Sequence, residues 1–106
     1  MIPKKINTGA FIVKVEEIES LITENGTELS GRFISDDCLI ILEKKQRSDK
    51  KEETFLHELF HLCLDEAGLV PGMVMEEELA VNMMSISFHR MLKLNPSLRK
   101  FLGSVR

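Results

Sequence analysis

The strongest constraint on the fold is an apolar helical stripe that also carries two histidines. The residues of the stripe are Phe55, Leu59, Leu62 and Ala67, and Gly68 follows them. This spacing is typical of one face of an amphipathic helix, and a glycine just past the last periodic residue is a common stop signal. The sequence therefore predicts a long helix that ends at Gly68, with Asp49 as its candidate N-cap.

The same helix carries the sequence His57-Glu58-Leu59-Phe60-His61. Residues four apart lie on one helix face, about 6 Å apart along the axis, so both imidazoles can bind one ion. An ordinary amphipathic helix with two chance histidines is the simpler alternative. Because the neighbouring residues are almost all apolar, unpartnered histidines would be costly there, and metal ligation offsets that cost.

Zinc is the metal that this pattern favours. A catalytic zinc site has three protein ligands and keeps its fourth position for water. The metal lowers the pKa of that water, and a neighbouring carboxylate can accept the proton. The sequence therefore predicts His57 and His61 as zinc ligands and Glu58 as the catalytic general base.

The third ligand must come from another segment. A metzincin site would need glycine at position 64 and histidine at position 67, but this chain has Leu64 and Ala67, which excludes that subclass. The alternative is a carboxylate from the following helix, where Glu76, Glu77 and Glu78 are adjacent. Acidic residues also suit a helix N-terminus without any ligand role.

Helix phase selects among these three glutamates. Glu78, Asn82 and Ser85 fall at i, i+4 and i+7, a polar line that could face the histidines, whereas Glu77 begins no such line. The sequence thus favours Glu78 as the third ligand. Asn82 is the predicted second-shell residue, because ligand histidines usually donate their other ring N–H to a polar partner.

The remaining pattern predicts an α+β fold with a small three-stranded antiparallel sheet packed against two long helices. Strands are predicted over 9–16, 29–35 and 38–43, the last two as a hairpin that turns at Asp36-Asp37. Residues 17–23 form either one helical turn or a loop, and 68–72 form a turn. A second helix is predicted over 76–94, followed by a short helix capped by Ser97.

Composition limits the class of protein. The 106 residues fit one domain spanning 1–106, and 43% hydrophobic residues suffice for a core. The net charge of -3 argues against a nucleic-acid partner. No stretch has the length of a membrane helix or of a signal-peptide core. Cys38 and Cys63 are too few for a disulfide framework, so reduced thiols and a cytoplasmic location are expected.

These residues together resemble a known family. His57 to His61, then Leu64 and Gly68, then Glu78-Leu79-Ala80-Val81-Asn82, are similar to the gluzincin pattern, particularly in ImmA/IrrE metallo-endopeptidases and their small phage-encoded relatives. The resemblance covers roughly residues 9–96. It implies a minimal zincin core that hydrolyses peptide bonds, with His57, His61 and Glu78 on zinc and Glu58 as base. It also implies that the targets are regulatory proteins, such as repressors of phage or mobile elements.

One feature of the sequence departs from larger relatives of this family. The chain contains no tyrosine, so the phenol that often stabilises the oxyanion is missing.

A zinc-stabilised interaction module without hydrolytic activity is the alternative function, although a structural site has no use for Glu58. For substrate binding, the sequence suggests strand addition of an extended peptide at a sheet edge along 38–43. The oligomeric state stays open.

Overall fold

The computed structural model describes residues 1–69 and 72–105, which form four strands and three helices. The strands are β1 (Lys5–Asn7), β2 (Ile12–Ile18), β3 (Gly31–Ile34) and β4 (Leu39–Glu43), and the helices are α1 (Ser48–Glu66), α2 (Glu77–Leu94) and α3 (Pro96–Ser104). The α+β class is confirmed. The predicted turn over 68–72 includes residues 70 and 71, which lie outside the described part of the chain.

The sheet is mixed and has four strands in the order β1-β2-β4-β3. The predicted three-stranded antiparallel sheet is therefore wrong in strand number and in direction. The β3–β4 hairpin is confirmed, with Phe33 paired to Ile40, but β4 also runs parallel to β2, with Val15 paired to Ile40. The hairpin thus inserts its second strand into the middle of the sheet.

The apolar run of β4 explains its central place. Ile40 and Leu42 are fully buried on the face that meets the helices, and Leu39 and Ile41 are half-buried on the opposite face. Strands that pair on both sides tend to be apolar on both faces, whereas edge strands carry more polar residues. β1 was not predicted because it has only three residues, two of them polar.

α1 packs against β3 and β4, α2 packs against α1 and β1, and α3 packs against α2. The buried core is Ile6, Val13, Ile40, Leu42, Phe55, Leu59, Leu62, Cys63, Met91, Leu98 and Phe101. Phe55 and Phe101 meet edge to face with ring centroids 5.2 Å apart. The predicted stripe on α1 is therefore confirmed at its first three positions. The core position of Cys63 raises the pKa of its thiol to about 11 through desolvation.

The helix starts differ from the predicted ones. α1 begins at Ser48 with Arg47 as N-cap, because the backbone of Arg47 is extended, and Asp49 lies in the first turn instead. α2 begins at Glu77, one residue after the predicted start at Glu76. α3 begins at Pro96 with Asn95 as its cap, so the predicted cap at Ser97 is wrong: proline suits the first helical position, where its missing N–H costs nothing.

Asn95 also closes one edge of the sheet. Its side-chain oxygen accepts the backbone N–H of Asn7 at 2.8 Å, and its amide donates to the carbonyl oxygens of Asn7 and Met91, both at 2.8 Å. The amide therefore satisfies the outward N–H and C=O of Asn7 as a neighbouring strand would. This contact joins β1 to the junction between α2 and α3.

Among the described helices, none has the length and apolar character that crossing a membrane requires.

Candidate metal centre

His57 and His61 lie one turn apart on α1, and their Nε2 atoms are 3.2 Å apart. The two rings are inclined at 69° to each other. Two ligands at a zinc–nitrogen distance of about 2.05 Å in tetrahedral geometry would have their nitrogens about 3.3 Å apart. The separation of the two Nε2 atoms is therefore compatible with joint binding of one zinc ion, and the same distance also allows a hydrogen bond between the two rings.

Glu58 is buried beside the two histidines, with 7% of its surface exposed. Burial raises the pKa of its carboxyl above the ordinary value, because the charged form loses hydration. The charges of His57 and His61 and a hydrogen bond from the backbone of Phe33 lower the pKa and partly offset this effect. Glu58 is thus a carboxylate whose affinity for a proton is increased, next to the histidine pair.

The three side chains form one compact donor group. One possible ligand atom from each of His57, Glu58 and His61 lies within 4.8 Å of the others. In the described ranges 1–69 and 72–105, no other group of three histidine, cysteine, aspartate or glutamate side chains meets this criterion. The donor set of two imidazoles and a carboxylate fits a divalent metal of the zinc type.

A close contact between β3 and α1 sets the position of this group. A Cβ atom on Gly31 would lie 2.6 Å from Cγ2 of Thr54 and 3.1 Å from the carbonyl oxygen of Ile41. Only glycine allows this approach without displacement of a neighbour. Thr54 is one turn before His57 and Glu58, so the contact holds β3 beside the donor group and brings the Phe33 backbone to Glu58.

The donor group lies in an open cleft with a volume of about 1180 Å³. One wall is β3 with the loop before it, the floor is α1, and the other wall is the connection from α1 to α2. The lining includes Gly31, Phe33 and Ser35 from the first wall and Leu69, Met73 and Met75 from the last. Because His57 and His61 are both exposed to this cleft, a ligand could reach them from solvent.

Asp65 extends the histidine line by one more turn and also lines the cleft. Its carboxylate accepts a hydrogen bond from the hydroxyl of Ser35 at 3.0 Å. This contact fastens the turn after β3 to the last part of α1. The Asp65 side chain thus supports the shape of the cleft beside His61.

Glu78 does not join the compact donor group and does not line the cleft. Glu78, Asn82 and Ser85 are all exposed, while the buried residues of α2 are Ser87 and Met91. The polar line on α2 therefore lies on an exposed face of the helix, as does Glu77. The roles of Glu78 as ligand and Asn82 as second-shell residue stay predictions.

Ala80 is the α2 residue that lines the cleft. Glu77 precedes it by three residues and so shares its side of the helix, whereas Glu78 is rotated by about 200° from Ala80. The register of α2 therefore places Glu77 closer than Glu78 to the side of the helix that carries Ala80, and neither glutamate lines the cleft or joins the donor group.

Sequence reasoning missed the contributions of Gly31, Phe33 and Ser35. The one available signal was Gly31, since a glycine inside a strand pattern often marks a close approach of another segment. The hydrogen bonds of Phe33 and Ser35 join residues far apart in the sequence, and local patterns carry no information about them.

Comparisons with family models, with curated proteins and with solved structures give no match for this chain.

Proposed function

We propose that this protein is a zinc-dependent metallo-endopeptidase of the gluzincin type, similar to the ImmA/IrrE enzymes. The observation that carries the proposal is the 3.2 Å separation of the His57 and His61 Nε2 atoms, which matches a pair of tetrahedral zinc ligands. The same helix places a buried carboxylate, Glu58, next to them.

The proposed division of labour follows from the chemistry of each side chain. His57 and His61 would hold zinc, which when bound supplies Lewis acidity and lowers the pKa of water. Glu58 would accept the proton of the attacking water and pass it to the leaving amine. Its raised pKa suits acceptance of the proton, because burial makes the carboxyl hold a proton more strongly than in water.

A third ligand would come from the start of α2. The sequence favours Glu78, but the side of α2 that carries Ala80 favours Glu77. A carboxylate there completes the two-histidine, one-glutamate set of gluzincins. Substitution of each glutamate separates the two assignments.

The substrate would bind as an extended strand along β3. Strand addition along 38–43 is not available, because β4 is paired on both sides. β3 is the edge strand, and Gly31, Phe33 and Ser35 line the cleft beside the histidines. Hydrogen bonds between main chains would give affinity for a polypeptide with little dependence on its side chains.

The openness of the cleft favours an enzyme over a zinc-stabilised interaction module. Structural zinc sites are closed by four protein ligands, whereas the exposed histidines here leave room for water and substrate. A regulatory protein of a phage or mobile element, cleaved in the cytoplasm, is the substrate that the resemblance suggests. The free thiols of Cys38 and Cys63 are compatible with a reducing compartment.

The test combines metal content with hydrolysis. Purified protein should hold one zinc ion per chain and cleave an unstructured protein such as casein. Glu58→Gln should keep the zinc and the fold and lose at least a hundredfold in rate, because the amide cannot accept the proton. Glu53→Gln is the matched control, since Glu53 is an exposed carboxylate on the same helix. Equal rates for Glu58→Gln and the unsubstituted protein would exclude Glu58 as base, and a folded protein without zinc would exclude the metal site.

A further inference from the structure

The two walls of the cleft differ in chemistry. The wall formed by β3 and the loop before it is mixed: its lining includes Leu29 and Phe33 beside the polar residues Thr23, Glu24, Asn25, Arg32 and Ser35. On the opposite side, the lining residues from the end of α1, the connection and α2 are Leu64, Leu69, Gly72, Met73, Met75 and Ala80. Apart from Asp65 beside Ser35, that second side presents no charged residue among those described.

The apolar wall is accessible rather than part of the core. Met73 is 48% exposed, and Leu64, Leu69 and Met75 are half-buried. By contrast, Met91 is fully buried, and Met84 packs against the core. The side chains of the connection therefore leave apolar surface beside the metal centre, where a bound ligand could cover it.

An extended peptide has side chains that alternate between two directions. If its main chain pairs with β3, it lies across the floor that carries His57 and His61, between the mixed wall and the opposite apolar side. A cleft of about 1180 Å³ exceeds the usual range for a small-molecule pocket, which suits a polypeptide segment.

We infer that the wall formed by Leu64, Leu69, Met73 and Met75, hereafter the apolar wall, selects substrates with a large apolar side chain next to the bond to be cleaved. This inference rests on the proposed function and names the substrate class for it. Burial of an apolar side chain against this wall is favourable, whereas a carboxylate or ammonium group placed there loses hydration without a partner.

Met73 and Met75 determine how strongly the apolar wall discriminates between side chains of different shape. Methionine side chains are unbranched and flexible, so they adapt to ligands of different shape. The apolar wall therefore accepts leucine, methionine and phenylalanine to similar extents and discriminates mainly against charged residues. Selection is by polarity more than by shape.

Binding measurements on Glu58→Gln test this inference independently of hydrolysis. The probes are fluorescent ten-residue peptides of serine and threonine that differ at one central position, which is leucine, phenylalanine, serine or aspartate. Fluorescence anisotropy with zinc-loaded protein should show leucine and phenylalanine peptides binding at least about tenfold more tightly than the aspartate peptide, which is within the range for apolar pockets.

Substitutions test whether the apolar wall causes the preference for peptides with an apolar side chain. Met75→Ser should reduce the ratio of leucine to aspartate affinity severalfold, while Met83→Ser should leave it unchanged, because Met83 is equally half-buried but does not line the cleft. The peptide series on the parent background keeps the inference testable if Met75→Ser fails to fold. Equal affinity for all peptides, no binding of any, or an equal effect of both substitutions would overturn it. Preserved leucine preference without hydrolysis by the unsubstituted protein would support the inference and contradict only the peptidase proposal.

Discussion

Gly31 and Thr54 are in direct contact, and a Cβ atom on Gly31 would lie 2.6 Å from Cγ2 of Thr54. Thr54 cannot turn away freely, because its hydroxyl donates to the carbonyl oxygen of Lys50 at 2.9 Å and lies 3.1 Å from the side-chain oxygen of Gln46. The position of the Thr54 methyl group therefore limits how closely the edge strand β3 approaches α1, the helix of the candidate metal site.

Gly31→Ala should destabilise the protein by about 1–3 kcal/mol, the usual cost of forcing extra atoms into a packed region. Urea denaturation measures the change in the free energy of unfolding. Adding Thr54→Ser, which removes the methyl group and keeps the hydroxyl, should recover part of the loss. Gly103→Ala in α3 is the control, because nothing lies within 4 Å of its Cβ position. Equal effects at both glycines would contradict the packing argument.

The third ligand can be identified by comparing the adjacent glutamates of α2. Because Glu77 shares the side of Ala80, we expect Glu77→Ala to weaken zinc binding strongly and Glu78→Ala to change it little. Competition with a chromogenic chelator gives both affinities. The reverse result would favour Glu78 as the ligand.

Glu58 should make the metal-free protein sensitive to pH. Since the pKa of its carboxyl is raised by burial, the folded state favours the protonated form. This contribution to stability is present below the ordinary carboxyl pKa and is lost as pH rises through the folded-state value. In thermal melts with chelator, the melting temperature should therefore fall as the pH rises from 4 to 8, and this fall should be smaller in Glu58→Gln. Parallel curves for the two proteins would contradict the desolvation of Glu58.

The two thiols should differ in reactivity. Cys63 is fully buried with a thiol pKa of about 11, whereas Cys38 is half-buried in the turn between β3 and β4. Because the thiolate is the reactive form, iodoacetamide at pH 8 should label Cys38 in the native protein and reach Cys63 only in denaturant. Peptide mass spectrometry distinguishes the two sites. Rapid native labelling of Cys63 would show that the packing of α1 on α2 opens readily.

Local patterns were sufficient for the elements that depend on local forces. The helical spacing of Phe55, Leu59 and Leu62 led to α1, and the four-residue spacing of His57 and His61 implied that their imidazoles converge. Helix geometry alone fixes both results. The β3–β4 hairpin was predictable for the same reason.

Features that depend on contacts between distant residues were not predictable in this way. The parallel pairing of β2 with β4 joins segments more than twenty residues apart, and nothing in the hairpin pattern indicates that a third strand lies beside it. The side of α2 that faces the cleft is likewise set by how Ser87 and Met91 pack into the core. Whether the polar line through Asn82 faces a bound metal could therefore not be predicted from helix phase alone.

The contact between Asn95 and Asn7 affects at which edge of the sheet another strand can be added. At the β1 edge, the outward main-chain groups of Asn7 are already bonded to the Asn95 side chain, so another strand cannot pair there without displacing it. The β3 edge has no such cover from Asn95 and borders the cleft. Any chain that extends this sheet, whether a substrate or a misfolded copy of the protein, must therefore compete for the same edge, and an occupied cleft would also protect against aggregation.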